Sequence, residues 1–199
     1  MSKMIEFAGM PNAGKTSVID MVDRQLRREG YSVYSCPEGA NLIRNGRNLG
    51  SLYDIRILLH SLSILIDNIQ HTNFDIVLFD RAVFDTIGWL NYRLHKNEDV
   101  VKITKMKEFV LLMADYISLC VFLTCDAHTA IERDKRSSIT IMGNGVSNNV
   151  VFLQDLAIAY EETLKELSGY PQIIRVDTTQ IHAISTARIV YNSIVGTIQ

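Results

Sequence analysis

The sequence predicts an α/β protein, a parallel sheet of five strands with helices on both faces. Three observations predict it. Five short runs of strand length recur along the chain, and each gives way to a stretch with helical periodicity. The runs are nearly continuous in apolar residues, which marks strands buried on both faces of a parallel sheet. A glycine-containing turn joins the first run to the first helix, where such a sheet carries its ligand-binding loop.

Each element has its own signal. Residues 4–8 form a short apolar run ending at Gly9, a buried first strand. Residues 15–29 carry Val18, Ile19, Val22 and Leu26 at helical spacing, with Gly30 as the stop. Residues 31–36 are β-branched and aromatic, and Pro37 ends that strand. Residues 39–51 are rich in Gly, Asn and Arg and read as a loop, and residues 52–70 are again helical in period. Residues 76–79 form a third strand, closed by Asp80 and Arg81. Helices are expected over 83–95 and 102–116, split by the polar stretch 96–99. A fourth strand is expected over 119–123 and a short helix over 127–135. Residues 137–149 are polar and contain glycine, the one segment expected to be mobile. A helix over 152–167, a fifth strand over 173–176 and a last helix over 183–195 complete the pattern. No repeat or low-complexity linker divides the chain, so residues 1–199 are expected to form one domain.

Composition excludes several classes. Of 199 residues, 47% are apolar, enough for a full core. The net charge of −2 and pI near 6.2 lack the basic excess of a general nucleic-acid binder, so none is expected as a partner. The apolar stretch near residues 55–66 is broken by Arg56, His60 and serines and falls short of a membrane span. The first ten residues are too polar for a signal peptide, so a soluble cytoplasmic protein is expected. Cys36, Cys120 and Cys125 form no CxxC pair and read as reduced buried thiols. The five histidines show no metal-site spacing.

The sharpest motif runs from Gly9 to Thr16, Gly-Met-Pro-Asn-Ala-Gly-Lys-Thr, which fits G-x-x-x-x-G-K-[ST] at every fixed position. An apolar strand precedes it and an amphipathic helix follows, as the motif requires. Backbone N–H groups around Gly9, Asn12, Ala13 and Gly14, with the helix start at Lys15, Thr16 and Ser17, are the candidate phosphate cradle. Lys15 would bring charge to the β- and γ-phosphates of ATP, and the Thr16 hydroxyl would be a ligand for Mg²⁺. The motif alone leaves kinase, GTPase and ATPase open. A small GTPase needs D-x-x-G after its third strand and N-K-x-D later; here Asp80-Arg-Ala-Val and Thr124-Cys-Asp-Ala stand at those places.

Four features, in order over nearly the whole chain, resemble the P-loop nucleoside and nucleotide kinases. They are the phosphate loop, Pro37-Glu38-Gly39 after strand two, Asp80-Arg81 at the end of strand three, and the segment Ile131-Glu-Arg-Asp-Lys-Arg136 after strand four. The resemblance is to the thymidylate kinase and deoxynucleoside kinase superfamily, with features of the smaller ribosylnicotinamide-kinase-like group. It implies a P-loop NTPase fold with strand order 2-3-1-4-5, a lid over residues 133–149, and transfer of the ATP γ-phosphate to a small nucleoside- or nucleotide-like acceptor. Relatives commonly dimerise through helices two and three, and the apolar face of residues 52–66 permits a homodimer. Three places depart from the pattern. Ala8 stands where thymidylate kinases usually carry an acid; helix two shows His60, Ser61 and Ser63 in place of an arginine; and Asp80-Arg-Ala-Val-Phe-Asp85-Thr-Ile-Gly-Trp89 looks more like the ribosylnicotinamide-kinase-like group.

Each remaining candidate has two readings. Glu38, at the carboxyl edge of the sheet, is a candidate base for an acceptor hydroxyl or a solvated loop acid. Asp80 suits an acid holding Mg²⁺, or a helix cap. Arg81 suits an acceptor oxyanion, or an ion pair with Asp80 or Asp85. Arg133 and Arg136 could place charge on the γ-phosphate from a closing lid, or lie on a solvated helix face. Arg44 and Arg47 would clamp an acceptor phosphate, or serve loop solubility. Asp85 is the next acid in line for the acceptor. Trp89, Tyr53 and Phe84 are core aromatics or a stacking surface. The alternative function is a nucleotide-binding switch or regulatory ATPase with no small-molecule acceptor.

Overall fold

The computed structural model describes residues 2–43, 49–71, 73–138 and 149–198, of which residues 136–138 are described by their backbone alone. Its sheet has five parallel strands: β1 (Lys3–Gly9), β2 (Val33–Cys36), β3 (Ile76–Asp80), β4 (Leu119–Thr124) and β5 (Ile173–Asp177). Their order is β2-β3-β1-β4-β5, as the resemblance implied. Every neighbouring pair is parallel, so each crossover must cover a sheet face.

The helices are α1 (Lys15–Arg28), α2 (Gly39–Leu42), α3 (Ser51–His71), α4 (Val83–His95), α5 (Val100–Leu111), α6 (Ala127–Ser138), α7 (Val150–Glu166) and α8 (Ala183–Ile198). Helices α1 and α8 pack together on one face. On the other, α4 is central, packed on β1 and flanked by α3, α5 and α7. Helix α1 buries Val18, Ile19, Val22 and Leu26, the stripe that the spacing predicts.

The strands are not equally buried. In β3 and β4 every residue is buried, because both faces are covered by helices. The outer strands are less so: in β5 only Val176 is buried, and Arg175 reaches out to Glu161. The apolar runs at both sheet edges therefore overstate burial there. Two other differences are local. Residues 39–42 form a helix of one turn inside the expected loop. The helix expected over 102–116 starts earlier and ends at Leu111, with a separate 3₁₀ turn at Ala114–Tyr116.

Candidate active site

The carboxyl ends of β1, β2 and β3 converge on a cavity of about 1170 Å³, which runs from the phosphate loop across the sheet edge to α3, α4 and α7. The loop between β1 and α1 forms its floor. Gly9 has φ +115, and a Cβ there would meet the Leu123 carbonyl oxygen at 2.1 Å, so only glycine fits. Its carbonyl turns inward and accepts from Lys15 Nζ at 3.0 Å, as does that of Met10 at 2.8 Å. Burial, with Arg81 nearby, lowers the Lys15 pKa to about 8. Asn12 is also left-handed, with φ +59, and its side chain donates to Asp134. Gly14, Thr16 and Ser17 line the same cavity.

The Thr16 hydroxyl donates to Asp80 Oδ2 at 2.8 Å. Asp80 is buried, and among the described residues its other oxygen, Oδ1, has no hydrogen-bond partner. Burial raises the Asp80 pKa, against the pull of Lys15 and Arg81. A hydroxyl and a buried carboxylate with a spare oxygen are a hard-oxygen donor set of the kind that Mg²⁺ takes.

Arg81 leaves the end of β3 with φ +71, a strained conformation for a side-chain-bearing residue, costing about 1–3 kcal/mol. Its backbone is held on both sides. Its N–H donates to the Phe7 carbonyl, and its carbonyl accepts from the Ser61 hydroxyl. The strain turns the guanidinium into the cavity, where Nε donates to Glu38 Oε1 at 2.7 Å and Nη1 to Asp85 Oδ2 at 2.7 Å. Burial opposes the Arg81 charge, but Asp85 and Glu38 more than offset it.

Asp85 lines the cavity, yet its oxygens are taken by protein donors. Oδ1 accepts from the Gly9 N–H at 2.8 Å and the Tyr160 hydroxyl at 2.7 Å, and Oδ2 from Trp89 Nε1 at 3.1 Å. It thus joins the phosphate loop, α4 and α7. Glu38 is about a quarter exposed and faces the cavity beside Arg81.

Beyond Arg81 the cavity wall is aromatic. Trp89, Tyr92 and Phe152 pack on one another and line it together with Tyr53. Asp54 on α3 and Arg93 on α4 form a two-bond ion pair in the same wall, 2.8 and 3.1 Å long. At the other end Arg133 donates to the Thr178 hydroxyl and carbonyl, at 2.9 and 2.6 Å. Thr178 also reaches the phosphate loop at Ala13, tying β5 to it. Arg44, Arg47 and residues 139–148 of the expected lid lie outside the described residues, as does the side chain of Arg136.

Sequence reasoning passed over Asp54, Arg93, Tyr160 and Glu6. An acid or arginine on an otherwise apolar helix face was the available signal for Asp54 and Arg93. Tyr160 gave none, since its partner Asp85 is 75 positions away. Among the described residues no cluster of His, Cys, Asp and Glu could by itself hold a metal ion, and no helix is long and apolar enough to cross a membrane.

No protein-family model matches the sequence, and no curated protein matches it. Solved structures do. The structure of deoxyadenosine kinase from M. mycoides with bound dATP matches with a TM-score of 0.64 and 16% identity, over 96% of this chain and 99% of that one. The same enzyme with bound dCTP matches with a TM-score of 0.59 and 18% identity, over 97% of this chain and 99% of that one. At such identities the likeness is one of fold. With the sheet order and the loop geometry above, it means that this chain is built, almost end to end, on the P-loop fold of the nucleoside kinases.

Proposed function

We propose that this chain transfers the γ-phosphate of ATP to a hydroxyl of a nucleoside. The observation that carries the reading is the Glu38–Arg81 pair, at 2.7 Å, in one cavity with the phosphate loop. A pure nucleotide switch needs no acceptor-facing carboxylate there. The deoxyadenosine kinase likeness supports the same class of acceptor.

In this reading the loop amides and the α1 dipole hold the ATP phosphates. Lys15 exchanges its two carbonyl partners for β- and γ-phosphate oxygens. Thr16 and Asp80 would hold Mg²⁺, which neutralises charge on the phosphates when bound. Glu38 accepts the proton of the acceptor hydroxyl as the hydroxyl oxygen bonds to the γ-phosphorus and the bond to the β-phosphate oxygen breaks, releasing ADP. Arg81, bonded to Glu38 at 2.7 Å, keeps it turned to that hydroxyl. Arg133 lies between the phosphate loop and Thr178, so a small swing would carry it to the phosphates.

The charge balance favours a nucleoside over a monophosphate. Among the described residues the acceptor end holds Glu38, Asp54 and Asp85 against Arg81 and Arg93, and both arginines are already paired. From these five side chains a dianionic acceptor would meet net negative charge, and a neutral one would not. The aromatic wall of Trp89, Tyr92 and Phe152 suits a flat base. The test is ADP formation from Mg·ATP with and without a panel of nucleosides and their monophosphates. Nucleoside-dependent turnover is expected. Hydrolysis indifferent to any acceptor would favour the switch, and turnover with monophosphates alone would overturn the choice of acceptor.

A further inference from the structure

Glu6 is a buried acid that the reaction above does not use. It sits mid-strand in β1, with no exposed surface. Its carboxylate takes three backbone amides of the turn that opens α4. Oε1 accepts from Ala82 at 3.1 Å and Asp85 at 2.8 Å, and Oε2 from Phe84 at 3.0 Å. The residue at the cap position of α4 is Ala82, whose side chain cannot cap. A sheet residue therefore serves the helix start in its place.

What that turn carries gives the contact its meaning. Arg81 precedes it in a strained conformation, and Asp85 lies within it. The direction of the Arg81 guanidinium depends on where these backbone atoms lie. We propose that Glu6 is a positioning residue for phosphoryl transfer: as a carboxylate it clamps the first turn of α4, and through that turn aims the Arg81–Asp85 pair at the acceptor side of the cavity. The catalytic half of this inference rests on the nucleoside kinase reading.

Three donors on two oxygens need an acceptor-only group. Protonation would set an O–H against an amide N–H and release at least one of them. The clamp is thus sensitive to pH. Burial pushes the Glu6 pKa up to about 7, against the pull of the three amides and with a further push from Asp85. Among the described residues the groups facing Glu6 are few. From α4 there is Asp85, itself held by Arg81. From β4 there is Cys120, whose register position is directly opposite and whose thiol burial keeps protonated. From β3 the opposite residue is Phe79, which does not titrate.

Trp89, the single tryptophan, bonds to Asp85 and reports on the turn. The experiment follows its emission against pH in the ligand-free wild-type protein and in Glu6→Gln, beside the pH profile of nucleoside-dependent turnover. The wild type should show an emission transition centred near pH 7 that the variant lacks. The kcat of Glu6→Gln should fall about ten- to a hundredfold, with the inflection near pH 7 gone from its profile and KM for ATP little changed. A folded Glu6→Gln with wild-type emission, rate and pH profile overturns the proposal. If the wild type turns over no nucleoside, the kinase reading fails with its catalytic half, and the Trp89 titration still decides whether the clamp exists. Should Glu6→Gln not fold, wild-type NMR decides instead: the Ala82, Phe84 and Asp85 amides must titrate together with the Glu6 carboxyl, and independent titration overturns the clamp.

Discussion

Arg81 donates from Nε to Glu38 across 2.7 Å while Asp85 holds the same guanidinium from behind. The acid offered as base is thereby fixed to the end of β3, although it lies on a separate loop. A carboxylate held in this way is oriented before an acceptor arrives, which is what a general base requires.

The proposed reaction gives two carboxylates at this sheet edge different roles, and metal should separate them. Glu38→Gln keeps size but loses basicity, so its turnover should fall by about 10²–10⁴-fold with Mg·ATP affinity unchanged. Asp80→Asn weakens the oxygen set shared with Thr16, so raising Mg²⁺ should restore part of its rate. Titration of Mg²⁺ against turnover in both variants checks this. Rescue of Glu38→Gln by metal would reverse the assignment.

Lys15 is expected to gain a proton with its nucleotide. Its pKa is lowered to about 8 in the ligand-free chain, chiefly by burial. Phosphate at that spot favours the charged form and raises it again. Above pH 8 ATP binding should therefore take up protons, approaching about one per ATP. Calorimetry in buffers of different ionisation heat measures this. Lys15→Ala should abolish the uptake and cost on the order of a hundredfold in turnover.

Stability should depend on pH through the buried acids. Glu6, Asp54 and Asp80 all have raised pKa values, chiefly by burial, that of Glu6 from 4.5 to about 7. The folded chain then binds these protons more tightly than the unfolded one. Their contribution is full below the ordinary carboxylate range and is lost as pH rises, for Glu6 through about 7. The Tm of the ligand-free protein should fall between about pH 5 and pH 8, and Glu6→Gln should flatten that fall. A Tm that rises over this window would contradict the shifts.

Helix packing supports the site at Gly88. A Cβ there would stand 2.3 Å from Tyr160 Cε1, and the Tyr160 hydroxyl holds Asp85. Gly88→Ala should cost about 1–3 kcal/mol by overpacking. Each kcal/mol is about 2–4 °C of Tm in a domain of this size. The loss should come with slower turnover, since Asp85 and Arg81 move with Tyr160. An unchanged Tm would mean that α4 and α7 part without strain.

The sheet and the phosphate loop were legible because their signals are local. A strand covered on both faces needs an apolar run, as β3 and β4 have, and a phosphate cradle needs Gly9, Gly14, Lys15 and Thr16 at fixed spacing. The one-turn helix α2 is too short for any period to declare it. Glu6 was lost inside an apolar run, since nothing local distinguishes a clamping acid from an edge residue. Asp85 reads in the sequence as an acceptor contact, because its partners Gly9 and Tyr160 lie 76 and 75 positions away. What periodicity and motifs miss are pairings that only the crossovers bring together.

In the proposed reaction the γ-phosphate goes to a nucleoside and not to water. The direct measurement uses ATP labelled in its γ-phosphate, with wild type and Glu38→Gln, and follows where the label goes. Label is expected on the nucleoside as its monophosphate, formed by the wild type and slowed about 10²–10⁴-fold in Glu38→Gln. Label appearing only as free phosphate, at the same rate with and without nucleoside, would contradict it.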